Sequence, residues 1–509
     1  MNKWVSSASL VGAWIIIIGL LLVVRPMSAA SDLSLVEAAK GGDRSAVATL
    51  LENGVDVNTA APDGATALHW AAHYDDLETA ELLIEAGANA SATNDYGVGP
   101  LSLAAENGSG AMAELLVAAG ADVNAPKPSG ETVLMTAARS GSVPVLTALL
   151  SNGADPSATE STKGQTALMW ALAERHVPAV RTLIDHGADI RQASTSGFTP
   201  LMWAARMGDR DSVDLLLDKG ADINAIATGE PAMGAQAVTQ GSTPLLVATV
   251  RGHVDLVKHL LEKGADPNEM AAGHTPLHYA AGRWDGVDAF FYVNPRPEQW
   301  KVLRGIPEDR KIELIEALLA HGADPNATMT TEPPRYGFSL IQLSSRGQTR
   351  GATPFFIAAM SADVEVMRFL AANGADPSIP AANGATALMM ASGLGWMENE
   401  VRLYEEDYLP AAELCLALGI DPNAASNSGS TAVHSTIQGG FNGVIELLVA
   451  AGADVNATSR GGQTALDQAL GYYAAGGLHV REDTAEVLRS LGGVSGEELE
   501  ALAAGGGGQ

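Results

Sequence analysis

The chain has 509 residues, 59 of them acidic and 30 basic, for a formal net charge of −29. That balance excludes a nucleic-acid surface, whose phosphates it would repel, and adsorption to anionic lipid. The single cysteine, Cys415, excludes a disulfide framework.

Taken in order, the first thirty residues read as a secretory signal: Lys3 is the positive start, Leu10 to Val24 the apolar run, and Ser28-Ala29-Ala30 the small-residue cleavage site. The alternative, an uncleaved membrane anchor, needs about 20 apolar residues, more than this run supplies. Residues 31–62 read as an N-terminal cap, with Leu35, Val36, Ala38 and Ala39 on a first helix and Val47 to Leu51 on a second. From there a phrase recurs, as Thr66-Ala-Leu-His-Trp-Ala-Ala72, Thr166-Ala-Leu-Met-Trp-Ala-Leu172, Thr199-Pro-Leu-Met-Trp-Ala-Ala205, Thr275-Pro-Leu-His-Tyr-Ala-Ala281 and Thr353-Pro-Phe-Phe-Ile-Ala-Ala359. The Thr suits the N-cap of a helix and the Pro its first turn. A second apolar run at helical spacing follows, and it ends in Gly-Ala-Asp-x-Asn or a close variant, as at Gly120 to Asn124, Gly220 to Asn224 and Gly264 to Asn268.

The Gly ahead of each phrase recurs from Gly64 to Gly462 at intervals of 33, 33, 34, 33, 44, 32, 78, 33, 45 and 33 residues. The three long intervals locate insertions. Residues 63–272 are repeats with a hairpin insertion at 225–240; residues 273–350 are one repeat with two insertions, 283–310 between its helices and 328–350 in its hairpin. Residues 351–461 are repeats with an inter-helix insertion at 395–409, residues 462–493 a C-terminal cap, and residues 494–509 a glycine-ended tail expected to be mobile.

The phrase and its Gly-Ala-Asp-x-Asn ending resemble the ankyrin repeat over nearly the whole mature chain, and a period near 33 is that repeat's spacing. The resemblance implies an all-α repeat protein: an ankyrin-repeat solenoid of helix-turn-helix units with hairpin loops, about twelve repeats including caps. It implies a protein or peptide partner held in the groove made by the first helices and the hairpin tips. The insertion pattern is also similar to that of exported bacterial ankyrin proteins, which implies a periplasmic or secreted setting and no activity. A solenoid grows because each repeat touches its neighbours alone, so the length does not demand several domains.

The two residues after the paired alanines are expected to face that groove. They give His73 and Tyr74, and then one arginine from each of five consecutive repeats: Arg139, Arg175, Arg206, Arg251 and Arg283. A basic stripe in an acidic protein points to a partner with acidic groups. The competing reading is a solvated surface, since an exposed ion pair contributes about 0–1 kcal/mol. Beside the stripe, the insertions carry Trp284, Phe291, Tyr292, Trp300, Arg304, Arg335 and Tyr336, residue types that dominate interface hot spots. From Arg283 to Arg350 nine basic and nine acidic residues balance, so this stretch is neutral in an acidic chain. Those aromatics serve equally as a satellite core holding the insertion on the solenoid. Trp70, Trp170, Trp203 and Tyr279 share one repeat position and read as packing.

No catalytic set is assembled: the chain lacks Gly-x-Ser-x-Gly, a phosphate-binding glycine loop and Cys-x-x-Cys-His. His69 and His73 have metal-ligand spacing without the glutamate of His-Glu-x-x-His, so no metal and no cofactor is expected. Cys415, in an apolar helical run, reads as a core residue. The sequence therefore describes an exported, monomeric binding scaffold and not an enzyme. The rival is a small anionic-ligand or catalytic pocket closed by the insertions, with Arg251, Arg283 and Arg304 gripping the ligand; a third reading is a plain structural spacer.

Overall fold

The computed structural model describes residues 33–229, 240–282, 306–331, 350–396, 403–474 and 477–505. Among them the chain forms twelve helix pairs and a terminal helix, Gly496–Gly505. The first helices are Ser34–Lys40, Ala67–His73, Pro100–Asn107, Val133–Ser140, Ala167–Ala173, Pro200–Met207, Pro244–Val250, Pro276–Ala281, Pro354–Met360, Ala387–Ala391, Ala432–Ser435 and Ala465–Leu470. The second helices are Arg44–Glu52, Leu77–Glu85, Gly110–Ala118, Val143–Ser151, Val177–Asp185, Arg210–Asp218, Val254–Glu262, Lys311–Ala320, Val364–Ala372, Glu405–Ala417, Asn442–Ala450 and Glu482–Ser490. First helices pack on first helices along the stack, including across the repeats that carry insertions, and second helices pack on second helices through most of it. The product is an all-α solenoid, with one short antiparallel hairpin, Tyr472–Ala474 with Gly477–His479, inside the C-terminal cap.

The recurring phrase works as its chemistry requires. Thr199 caps its helix by accepting from the Met202 backbone N–H at 3.4 Å, and Pro200 fills the first turn, where no amide is needed. The paired alanines are fully buried, as at Ala204 and Ala205, and let neighbouring first helices approach. One apolar core runs unbroken from Leu35 to Leu488. A second small cluster, Leu246, Val250, Ala272 and Tyr279 with Ile306 against it, lies at the foot of the largest insertions.

Hydrogen bonds sew the repeats together. His278 accepts the Thr275 N–H at Nδ1 (3.2 Å) and donates from Nε2 to the Ala352 carbonyl of the next repeat (3.1 Å). His69 does the same with Thr66 and Val98, and His434 with Thr431 and Gln463. Burial pushes all three imidazoles below their ordinary range, His278 to about 4. The Asn that closes Gly-Ala-Asp-x-Asn is a second staple: Asn268 donates to the Gly322 carbonyl at 2.7 Å and accepts the Asp324 N–H at 2.8 Å, one repeat on. The Gly of that motif is needed for its backbone alone, since at Gly220 (φ 88°) a Cβ would meet nothing within 4 Å.

Both hairpin insertions leave and return through the same base. Ala227 N–H bonds to Ser242 O (3.0 Å) and Gly241 N–H to Ala227 O (2.7 Å); Met329 with Ala352 and Gly351 repeats the pattern at 2.9 and 2.7 Å.

Two expected boundaries are corrected. The inter-helix insertion expected at 395–409 is shorter, because the second helix already begins at Glu405. Glu405, Glu406 and Asp407 form its first turn, where carboxylates favour the positive helix end, and Glu405 also accepts the Gly443 and Val444 amides of the next second helix. The tail expected to be mobile from residue 494 contains the helix Gly496–Gly505. Ser495 and Glu498 cap it reciprocally, and Gly496 N–H is held by Asp467 at 2.8 Å.

Candidate binding groove

The position four residues after each phrase Thr lies along one face of the stacked first helices. Trp70, Trp170 and Trp203 occupy it half-buried, and Tyr279 is buried there. The three tryptophans pack against the core as expected, and each also carries a cation. Lys40 Nζ lies 5.1 Å from the Trp70 ring centroid, and the guanidinium carbons of Arg139 and Arg206 lie 5.2 Å from Trp170 and Trp203. Each cation sits seven residues after its helix cap. Lys40 and Arg139 reach forward to the next repeat, whereas Arg206, which has Val247 ahead of it, lies on its own helix's Trp203. Such contacts contribute about 0.5–2 kcal/mol and keep a flat ring and a charge together at the surface.

His73 and Tyr74 are exposed and join this face, the Tyr74 ring stacked on Trp70 at 6.0 Å and 4.9 Å from His73. Arg139 lies 3.9 Å from Glu131, whose carboxylate also takes Lys127 Nζ (2.8 Å) and the Thr136 hydroxyl (2.9 Å). Burial pushes the Glu131 carboxyl up, but these donors outweigh it and hold it below the usual range. Arg206 is half-buried, and burial together with the neighbouring Arg251 charge lowers its pKa to about 10. Behind the arginines stand two turn histidines. His176 Nε2 donates to the Arg139 carbonyl and His253 Nε2 to the Arg206 carbonyl, both at 3.1 Å, so each fixes the backbone of the arginine in the preceding repeat. Burial first, then the charges of Arg251 and Arg175, push His253 below its ordinary range and outweigh that carbonyl bond.

The arginines of the expected stripe do not share one register. Counting from the capping Thr, Arg139 and Arg206 share a position, Arg251 is one residue later, and Arg175 is two later, at the turn between helices. There Arg175 adopts φ 61°, where Gly141, Gly208 and Gly252 stand in neighbouring repeats. At Gly208 a Cβ would also lie 2.7 Å from the His253 ring. Arg283 and the insertion residues Trp284, Phe291, Tyr292, Trp300, Arg304, Arg335 and Tyr336 lie outside the described residues.

The pattern is decided by its match to known repeats. A family model described as ankyrin repeats (3 copies) matches residues 35–127, 88–160, 134–227 and 230–296, and one described as ankyrin repeat matches residues 350–379. The chain belongs to the ankyrin-repeat family. No curated protein matches this ankyrin-repeat chain.

Other candidate chemistry is used structurally. His69 is occupied at both nitrogens, and no group of three His, Cys, Asp or Glu able to hold a metal exists among the described residues. Cys415 is buried, and burial pushes its thiol up to about 12, far from a reactive thiolate. An open cavity of about 690 Å³ lies among the last hairpins, lined by hydroxyl and amide side chains such as Ser428, Ser430, Asn427 and Gln463 with Arg460. No described helix is long and apolar enough to cross a membrane.

Position-by-position reading missed two features. Glu131 and Phe198 precede the capping Thr in repeats four and six, and they become visible once the repeats are aligned on that Thr. The Asn staple is spelled in every Gly-Ala-Asp-x-Asn, but its partner is a backbone carbonyl, which no side-chain motif reveals.

Proposed function

We propose that the protein is an exported binding scaffold, not an enzyme, which holds a protein or peptide partner along the groove face of its first helices. The row of half-buried tryptophans at 70, 170 and 203, each carrying a cation, supports this reading most directly. Trp, Tyr and Arg are the side chains on which interfaces concentrate their binding energy, and a ladder of them across repeats two to six offers an elongated surface. Ankyrin repeats generally mediate protein–protein interaction, in keeping with this assignment. Export follows from the signal pattern of the first thirty residues.

The test is affinity capture from a periplasmic extract with the chain lacking its first thirty residues, beside a variant carrying Arg139→Glu, Arg206→Glu and Arg251→Glu. A partner held by the native chain and lost from the variant, with the circular dichroism spectrum unchanged, is the expected result. The same partner captured by both refutes use of the groove.

A further inference from the structure

Two repeats of this chain treat the same arginine position in opposite ways. In repeat four, the residue before the capping Thr is Glu131, and its carboxylate lies 3.9 Å from the Arg139 guanidinium. In repeat six the same place is held by Phe198, whose ring meets the edge of Trp203 at 6.0 Å. Arg206, at the position of Arg139, thereby loses the built-in carboxylate. Among the described residues no acidic group lies within ion-pair reach of it, and the nearest charge that acts on it is a second cation, Arg251. The indole N–H of Trp203, on which Arg206 rests, is buried without an acceptor among the described residues.

This is costly for the isolated fold, because a half-buried cation without a counterion gives up hydration and regains little. Composition does not explain it, since the chain has 59 acidic residues to 30 basic, yet none of the described ones pairs with Arg206. The described stack supplies no carboxylate here, which leaves Arg206 open to one from a partner. We propose that Arg206, on its Trp203 platform, anchors one carboxylate side chain of an extended acidic peptide segment of a protein partner. The inference rests on the groove reading above and deepens it. A peptide segment suits the site because the face continues through Trp170 and Arg139 to the exposed His73 and Tyr74, a length that a small anion would leave unused.

The decisive experiment uses fluorescence anisotropy of a labelled peptide alternating Glu and Ala, and of its Gln counterpart, with the full chain and three variants. The native chain should prefer the Glu peptide by about tenfold or more, the worth of one charge-assisted hydrogen bond. Arg206→Met should abolish that preference. Phe198→Glu should abolish it too, by supplying internally the carboxylate that Glu131 supplies in repeat four, while Phe198→Leu, which removes only the aromatic ring, should keep it. Equal affinity for the two peptides, no binding of the Glu peptide, or a preference that survives Arg206→Met overturns the proposal. Glutarate competing at concentrations similar to the peptide also overturns it, in favour of a small dicarboxylate ligand. A partner captured by the native chain and by Arg206→Met, but lost from the triple glutamate variant, leaves the groove reading standing and removes this anchor. Capture unaffected by every variant removes both.

Discussion

Lys311→Met should cost the protein about 3 kcal/mol. Lys311 opens the second helix of repeat eight, directly after an insertion, and its Nζ lies 2.8 Å from Asp363, with 4% and 7% of the two side chains exposed. Asp363 is also the N-cap of the next second helix, accepting the Val366 N–H at 3.2 Å. Removing one member of a buried pair typically costs 3–5 kcal/mol, because the other charge stays desolvated. The surviving cap bond places this case at the low end. Combining Lys311→Met with Asp363→Ser keeps a capping oxygen and buries no charge, so the pair of changes should cost only about 1 kcal/mol. Each repeat touches its neighbours alone, so the loss belongs to the junction of repeats eight and nine. Urea denaturation followed by circular dichroism measures the size, and hydrogen exchange across Lys311–Ala320 and Val364–Ala372 measures the place. A Lys311→Met chain within about 1 kcal/mol of native, or a double variant worse than the single one, would refute the reasoning.

Arg175→Gly should stabilise the fold by about 0.5–1 kcal/mol, since Arg175 holds φ 61° at a cost of roughly 1–2 kcal/mol and Gly returns part of that gain as unfolded-state entropy; thermal denaturation checks it. For pH, His278 has its pKa lowered by burial to about 4 against an ordinary 6.5, so protons favour the unfolded chain. Its stabilising contribution is complete above pH 6.5, falls by about 2 kcal/mol by pH 5 and is lost as pH approaches 4. His278→Asn should flatten that part of the denaturation-midpoint profile between pH 5 and 7, and an unchanged profile would count against it.

The helix pairs and their stacking were legible because each rests on local chemistry that is written residue by residue: Thr before Pro, paired alanines, a closing glycine. The end repeats kept only part of that chemistry, Ala38-Ala39 and Gly54 in the first and the Thr464 cap in the last. Side-chain register in the groove was not. Reading two residues after each alanine pair works at Arg139 and Arg206 but misses by a residue where Leu172 replaces the second alanine, which set Arg175 in the groove row when it belongs to the turn. Glu405 was placed in the inter-helix insertion at 395–409, although it opens an acidic first turn of the second helix. The terminal helix carried its signal in Ser495 and Glu498, masked by the run of glycines behind it.

The two-bond bases at Ala227 with Gly241 and at Met329 with Gly351 have an engineering meaning. A chain that leaves and returns through one hydrogen-bonded pair starts and ends at the same place on the stack, so the length of the excursion need not alter the spacing of the helices beneath it. Natural selection can lengthen, shorten or rewrite such an excursion without renegotiating the core. A designer has the same freedom: these are two ports at which a reporter or a recognition module can be spliced into the ruler without changing its graduation.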